Sequence, residues 1–250
     1  MRKIPVLLVV LCFAGIGFLY AAPVDVPTKI QGLEGNILKN KESGIGLSIV
    51  EEADFLSERK LDITDSEDIA EVKGQFYTTK IILTVIDKFD FYGIFGKAEN
   101  LEYEDNIKPK DKLTWGVGLS APIYEWKNHG IKLFADGKYR TVNNIDYTSN
   151  YELPIPHHHG INHTLPKFLV DWQEWQVALG LAKHFGHFMP YLGVKYSDFR
   201  ESSEVSSSYS DSIVGIFVGC AVTPMKAFSI DLQGRFIDER ALTIKATYKF

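Results

Sequence analysis

The sequence predicts an all-β fold, a closed antiparallel up-and-down transmembrane β-barrel of about ten strands. Three observations carry that expectation. Segment after segment alternates apolar and polar residues with period two. The apolar faces persist for about 9 to 11 residues, the length a tilted strand needs to cross hydrocarbon, whereas common strands run about 5 or 6. Connections between the segments alternate short and long. Bulk composition does not oppose this: 45% apolar and 24% charged residues in a 250-residue chain is an ordinary mixture. A membrane strand never builds the long apolar run that marks a membrane helix, so averages hide it.

In chain order, Arg2 and Lys3 precede the apolar stretch Ile4 to Tyr20, and Ala21, Ala22 and Pro23 follow. This reads as a secretory signal peptide over residues 1–21. Cleavage after Ala21 is preferred, because a cut after Ala22 would leave proline next to the scissile bond. A retained membrane anchor is the alternative, with an apolar stretch at the short end for spanning. Cys12 follows bulky Leu11 inside the apolar region, which argues against a lipoprotein site. Residues 22–43 are expected to be a short polar N-terminal periplasmic segment, and residues 44–250 the barrel. Losing Arg2 and Lys3 leaves 25 basic against 32 acidic residues, net −7, a balance that disfavours nucleic acid as a partner. Cys220 is then the sole cysteine, so no intramolecular disulfide can form.

The first strand is expected near Gly44 to Phe55, with Ile45, Leu47 and Ile49 opposite Gly46, Ser48 and Glu52. The acidic stretch Leu61 to Lys73 reads as a loop. A hairpin follows: Tyr77, Thr79, Ile81, Leu83 and Val85, a turn at Asp87-Lys88, then Phe89, Phe91, Gly93 and Phe95. The next pair sets Trp115, Val117, Leu119, Ala121 and Ile123 before the Lys127 to Gly130 turn, and Ile131, Leu133, Ala135, Gly137 and Tyr139 after it. Trp175, Val177, Leu179 and Leu181 lead through Gly186-His187 into Pro190, Leu192, Val194 and Tyr196. Val214 to Val222, Phe228 to Phe236 and Leu242 to Phe250 supply the last three strands. Eight or twelve strands would serve the same pattern, but ten is the count read here, and an even number suits a single-chain barrel.

Short links near Asp87, Asn128, Gly186 and Lys226 alternate with long polar ones at residues 61–73, 100–112, 144–167 and 201–211. Only the link near Glu239 breaks the rule. Trp115, Trp126, Trp172, Trp175, Tyr139, Tyr196, Tyr248 and Phe250 sit near strand ends, as interfacial girdles would. The competing architecture is a soluble β-sandwich binding module, whose strands also alternate.

The terminal strand carries Leu242, Ile244, Ala246, Tyr248 and Phe250 at every second position, with an aromatic residue last. It resembles the C-terminal signature by which Gram-negative assembly machinery recognises outer-membrane barrels. The hairpins around Phe89 to Gly93 and Trp115 to Leu119 resemble those of small porin-like or major-outer-membrane-protein-like barrels across most of the mature chain. That resemblance implies an outer-membrane location, a lipid bilayer as the surrounding partner, and docking of the last strand on the barrel-assembly machinery. It names no functional residue.

On the enclosed face the pattern places Lys80, Asp90, Lys132, Asp136, Lys138, Arg140, Glu174, Lys195, Asp231, Arg235, Lys245 and Lys249. About eight strands leave an interior just filled by side chains, so one reading is mutual pairing that plugs a structural, surface-exposed barrel. The other is a narrow porin-like channel for small solutes, with a cationic excess that favours anions. His157, His158, His159 and His163 form a candidate metal cluster in the longest loop. A solvated histidine-rich loop is the competing view. No Asp/His constellation like that of the ten-stranded omptin-like proteases stands out, so neither an enzyme nor a cofactor is expected.

Overall fold

The computed structural model describes residues 22–34, 44–63, 69–86, 88–103, 111–147, 168–203, 207–211 and 213–250. Eleven strands form one sheet: β1 (Gly46–Ile63), β2 (Ile69–Val85), β3 (Phe89–Tyr103), β4 (Lys112–Trp126), β5 (Ile131–Tyr147), β6 (Phe168–Lys183), β7 (Phe188–Ser203), β8 (Ser207–Ser210), β9 (Val214–Met225), β10 (Phe228–Phe236) and β11 (Arg240–Lys249). Every pairing is antiparallel, and β1 pairs β11 from Ser48↔Lys249 to Glu58↔Arg240, which closes the sheet into a barrel. A sandwich would leave that edge open.

Ten staves make the wall, because β8 and β9 are two pieces of one descending strand. From Val214 downward β9 lies against β7 and β10. Above that break β8 pairs with β7 at Arg200–Ser202 and crosses to β1 at Leu61–Ile63. The β10–β11 hairpin is short, so β1 and β7 rise past it and β8 spans the gap. This accounts for the one short link among the long ones, near Glu239.

The alternation places aliphatic and aromatic side chains outward. Ile81, Leu83, Phe91, Val117, Leu119, Val177, Leu179, Leu192, Val194, Ile216, Val218, Ile230 and Ile244 are all exposed, while their sequence neighbours face the lumen. The usual soluble arrangement is therefore inverted. Trp115, Trp126, Trp175, Tyr196 and Tyr248 are also exposed. Trp172, expected among the girdles, is buried inside and packs edge-on against Phe199 at 5.4 Å. It shares the inward face with Glu174, two positions on.

The acidic stretch expected to be a loop is mostly strand, since β1 runs to Ile63 and β2 starts at Ile69. Bulges explain why the pattern misleads there. Register slips between Leu56 and Arg59 in β1, between Lys73 and Gln75 at the β2–β3 pair, and between Val142 and Ile145 in β5. Each extra residue reverses the in/out phase while the ladder continues. Arg59, Leu61, Leu101 and Ile145 thereby turn inward and are buried.

Candidate functional site in the lumen

The lumen is packed. Residues 22–34, expected to be a polar segment outside the barrel, instead run down its interior: Ala22, Val24, Val26, Thr28, Ile30 and Leu33 are buried. Having no strand to pair with, this inner segment takes its hydrogen bonds from the walls and, over Pro27 to Leu33, from its own turns. Val24 N–H donates to Gln233 Oε1 (2.8 Å), and Gln233 Nε2 donates back to the Val24 carbonyl (3.0 Å). Thr28 N–H donates to Asp90 (2.6 Å), Lys138 to the Pro23 carbonyl, and Lys245 to the Val24 carbonyl (2.8 Å). His184 meets the Ile30 carbonyl and Glu34 N–H the Lys226 carbonyl (2.7 Å), so the segment leaves at the short-turn end. Its apolar side rests on Phe134, Met189, Tyr191 and Phe217.

Asp25 is the centre of the lower lumen. Its carboxylate receives Lys80 at 2.8 Å, Lys138 at 2.6 Å and Lys245 at 3.0 Å, and Lys80 also binds Glu52 at 2.7 Å. Two tyrosines flank the cluster. Tyr92 donates to Asp136 (2.6 Å) and Tyr191 to Asp231 (2.7 Å). Each ring abuts a glycine of the neighbouring strand, Gly118 and Gly219, where a Cβ would come within 2.2 Å and 2.3 Å of the ring. The glycine-rich face thus makes room for these two rings.

Asp25 belongs to the inner segment and not to a spanning strand. Burial works against its charge, and the three ammonium groups outweigh that, holding the carboxyl well below the usual carboxylate range. A depressed acid stabilises the seated form above its free-state value, near 3.8, and that stability is lost as pH falls through the lower bound value. Acidification well below pH 3.8 is expected to loosen residues 22–34. Pepsin cleavage within the segment, normalised to an unfolded substrate at each pH, should rise only below that value and stay flat above it wherever pepsin still cuts.

Above the lower cluster a second network crosses the lumen. Lys195 pairs with Asp238 (2.9 Å) and Glu239, Arg59 joins Glu239 (3.1 Å) to Glu174 (2.9 Å), and Arg140 joins Glu174 (2.9 Å) to Asp54 (3.5 Å). Arg235 closes the run on Asp54 at 2.6 Å. Four cations meet four carboxylates, as burial demands. Arg59 and Arg140 stack on Phe199 and Phe76, 4.8 Å and 4.0 Å from the ring centres. Those rings belong to an apolar lid that also holds Leu56, Leu61, Leu101 and Trp172.

Of the charges expected inside, Lys80, Asp90, Asp136, Lys138, Arg140, Glu174, Lys195, Asp231, Arg235 and Lys245 are buried in the lumen. Lys132 and Lys249 are only half-buried, near the short-turn rim. Not expected among the lumen charges were Asp25, Asp54, Arg59, Asp238 and Glu239, nor Glu52, although its place on the polar face of the first strand was read. Glu52 and Asp54 continue the inward parity of Ser48 and were legible, whereas Arg59 lies beyond a bulge and the Asp238-Glu239 pair looks like an ordinary turn. Among the described residues the cationic excess expected of the lumen is absent: the buried groups are seven cations and nine carboxylates. On β11, Ile244 and Tyr248 are exposed and Leu242, Ala246 and Phe250 half-buried, all on the outer face. His157, His158, His159 and His163 lie outside the described residues, among which no cluster of metal-ligating side chains occurs.

No family model matches the chain, and no curated protein sequence matches it. Similar solved structures are outer-membrane β-barrels. The translocator domain of the autotransporter NalP from Neisseria meningitidis is 10% identical, with TM-score 0.43, covering 84% of this chain and 90% of that one. An outer membrane channel from Pseudomonas putida F1 is 9% identical, with TM-score 0.42, covering 87% and 100%. The outer membrane protein AlkL, solved in lipid bilayers, is 12% identical, with TM-score 0.41, covering 92% and 96%.

Proposed function

We propose that this chain is an exported outer-membrane barrel whose lumen is closed by its own N-terminal segment, so that the resting protein conducts no solute. The carrying observation is residues 22–34 inside the wall, with Asp25 held by Lys80, Lys138 and Lys245. The apolar lid supports the same reading at the opposite end, because an ion crossing it would shed its water without a polar partner. Short turns then face the periplasm and the longer links the exterior. The terminal strand, Leu242 to Phe250, is the proposed contact for the assembly machinery.

Planar-bilayer recording tests this. The full chain is expected to be silent, and a chain lacking residues 24–34 to show more frequent open steps. Steady conductance by the intact protein would overturn the closed-lumen reading.

The lipid environment has its own test. Leu179 and Val117 are half-exposed on the outer face, at mid-strand. Leu179→Arg is expected to cost about 2 to 4 kcal/mol of folding free energy in a bilayer. Denaturant titration in liposomes would read this as a lower midpoint. An unchanged midpoint, or a native chain that stays folded and dissolved without detergent, would exclude acyl chains as the partner of this face.

A further inference from the structure

Ala22 is 1% exposed, and its backbone nitrogen lies 3.4 Å from Glu174 Oε1. The contact falls where the two polar networks meet. On the far side Glu174 is held by Arg59 and Arg140, whose guanidinium groups stack on Phe199 and Phe76 of the apolar lid. Ahead of Ala22 the lumen is therefore occupied by ion pairs and packed rings. Behind it, Pro23 and Val24 are fastened by Lys138 and Lys245.

We propose that the chain is cut between Ala21 and Ala22, and that the new α-ammonium of Ala22 is a structural cation of the lumen, paired with Glu174. Seating of the inner segment then depends on the cut. This rests on the exported-barrel reading above. Hydrolysis by an endoprotease of the export route consumes one water: Ala21 keeps the carboxylate, and Ala22 the amine, which takes up a proton. Three observations converge on the same bond. The sequence places small residues at 21 and 22 after an apolar run. The geometry aims the Ala22 nitrogen at a buried carboxylate. The buried charge of the lumen among the described residues, seven cations against nine carboxylates, is brought nearer to balance by one further cation, which is the direction burial favours.

The test uses the full precursor expressed in a Gram-negative host and purified from membranes. Intact mass is expected to begin at Ala22. In the folded barrel, acetylation by an N-hydroxysuccinimide ester should label the Ala22 amine at least about tenfold more slowly than in the urea-unfolded chain. A second variant inserts Gly-Ser-Gly-Ser between Ala22 and Pro23, which moves the amine and leaves Glu174 and every strand intact. Its amine should react at the unfolded rate while the barrel keeps its heat-dependent gel shift. A mass beginning elsewhere, labelling of the native amine at the unfolded rate, or a still-protected amine in the insertion variant would each overturn the proposal. Bilayer recording separates the two readings: a conducting native barrel with a protected Ala22 amine refutes only the closed lumen.

Discussion

Asp25→Leu is expected to unseat residues 22–34 while the barrel wall stays closed. The substitution leaves Lys80, Lys138 and Lys245 facing one another around an apolar side chain, with Glu52 in reach of Lys80 and Lys245 and Asp136 3.6 Å from Lys138. Removing one partner of a buried ion pair costs about 3 to 5 kcal/mol, which lowers the ratio of seated to released segment by roughly two to four orders of magnitude. The readouts are cleavage of the segment by added protease and the frequency of open steps in a bilayer. Both should rise together. Adding Lys138→Met to Asp25→Leu removes one of the three crowded cations and should recover part of the loss, a coupling that independent sites would not show. If Asp25→Leu leaves protease access and conductance unchanged, the lysine cluster is not what holds the segment.

Arg59→Met is expected to give the largest loss of barrel stability among single substitutions in the upper lumen. Arg59 binds Glu174 and Glu239, donates to Ser210 of β8 at 2.9 Å and stacks on Phe199. One side chain thus ties together β1, β6, β8 and the β10–β11 turn. Methionine conserves much of the stem but takes one of two cations from each of two buried carboxylates, leaving Glu174 to Arg140 and Glu239 to Lys195, a cost approaching the roughly 3 to 5 kcal/mol of a broken buried pair. The temperature at which the compact gel band converts to the extended one should fall sharply. Arg59→Lys keeps the charge and loses the fork geometry, so its fall should be smaller. Equal conversion temperatures for wild type and Arg59→Met would show that the upper network contributes nothing to holding the wall.

The two substitutions also mark how far the sequence could be read. Lys80, Lys138 and Lys245 were legible as lumen groups because each sits in an unbroken stretch of period two. Asp25 was not, since the alternation of Ala22, Val24 and Val26 is too short to mark a strand and is flanked by Pro23 and Pro27, and a short stretch after a signal reads as a leader. Arg59 was hidden by the bulge after Leu56, which reverses the phase on which the inference depends. Glu239 lies in the one short link that breaks the alternation, and β8, the strand that makes that link possible, is only four residues long. Position near a strand end suggests the outer girdle for Trp172, whereas its parity with Glu174 points inward.

The sequence by itself determined which side of each strand is apolar, and so a sheet with an oily outer face and a polar inner one, because alternation is a local property of two-residue repeats. Closure was decided by tertiary structure, in the pairing of β1 with β11, and so was what fills the space inside. The ion pair between Asp25 and Lys245 joins residues 220 positions apart, and that between Arg59 and Glu239 joins residues 180 apart. Such partners are chosen by which side chains reach the same desolvated volume once the wall has closed, and no periodicity along the chain encodes that distance.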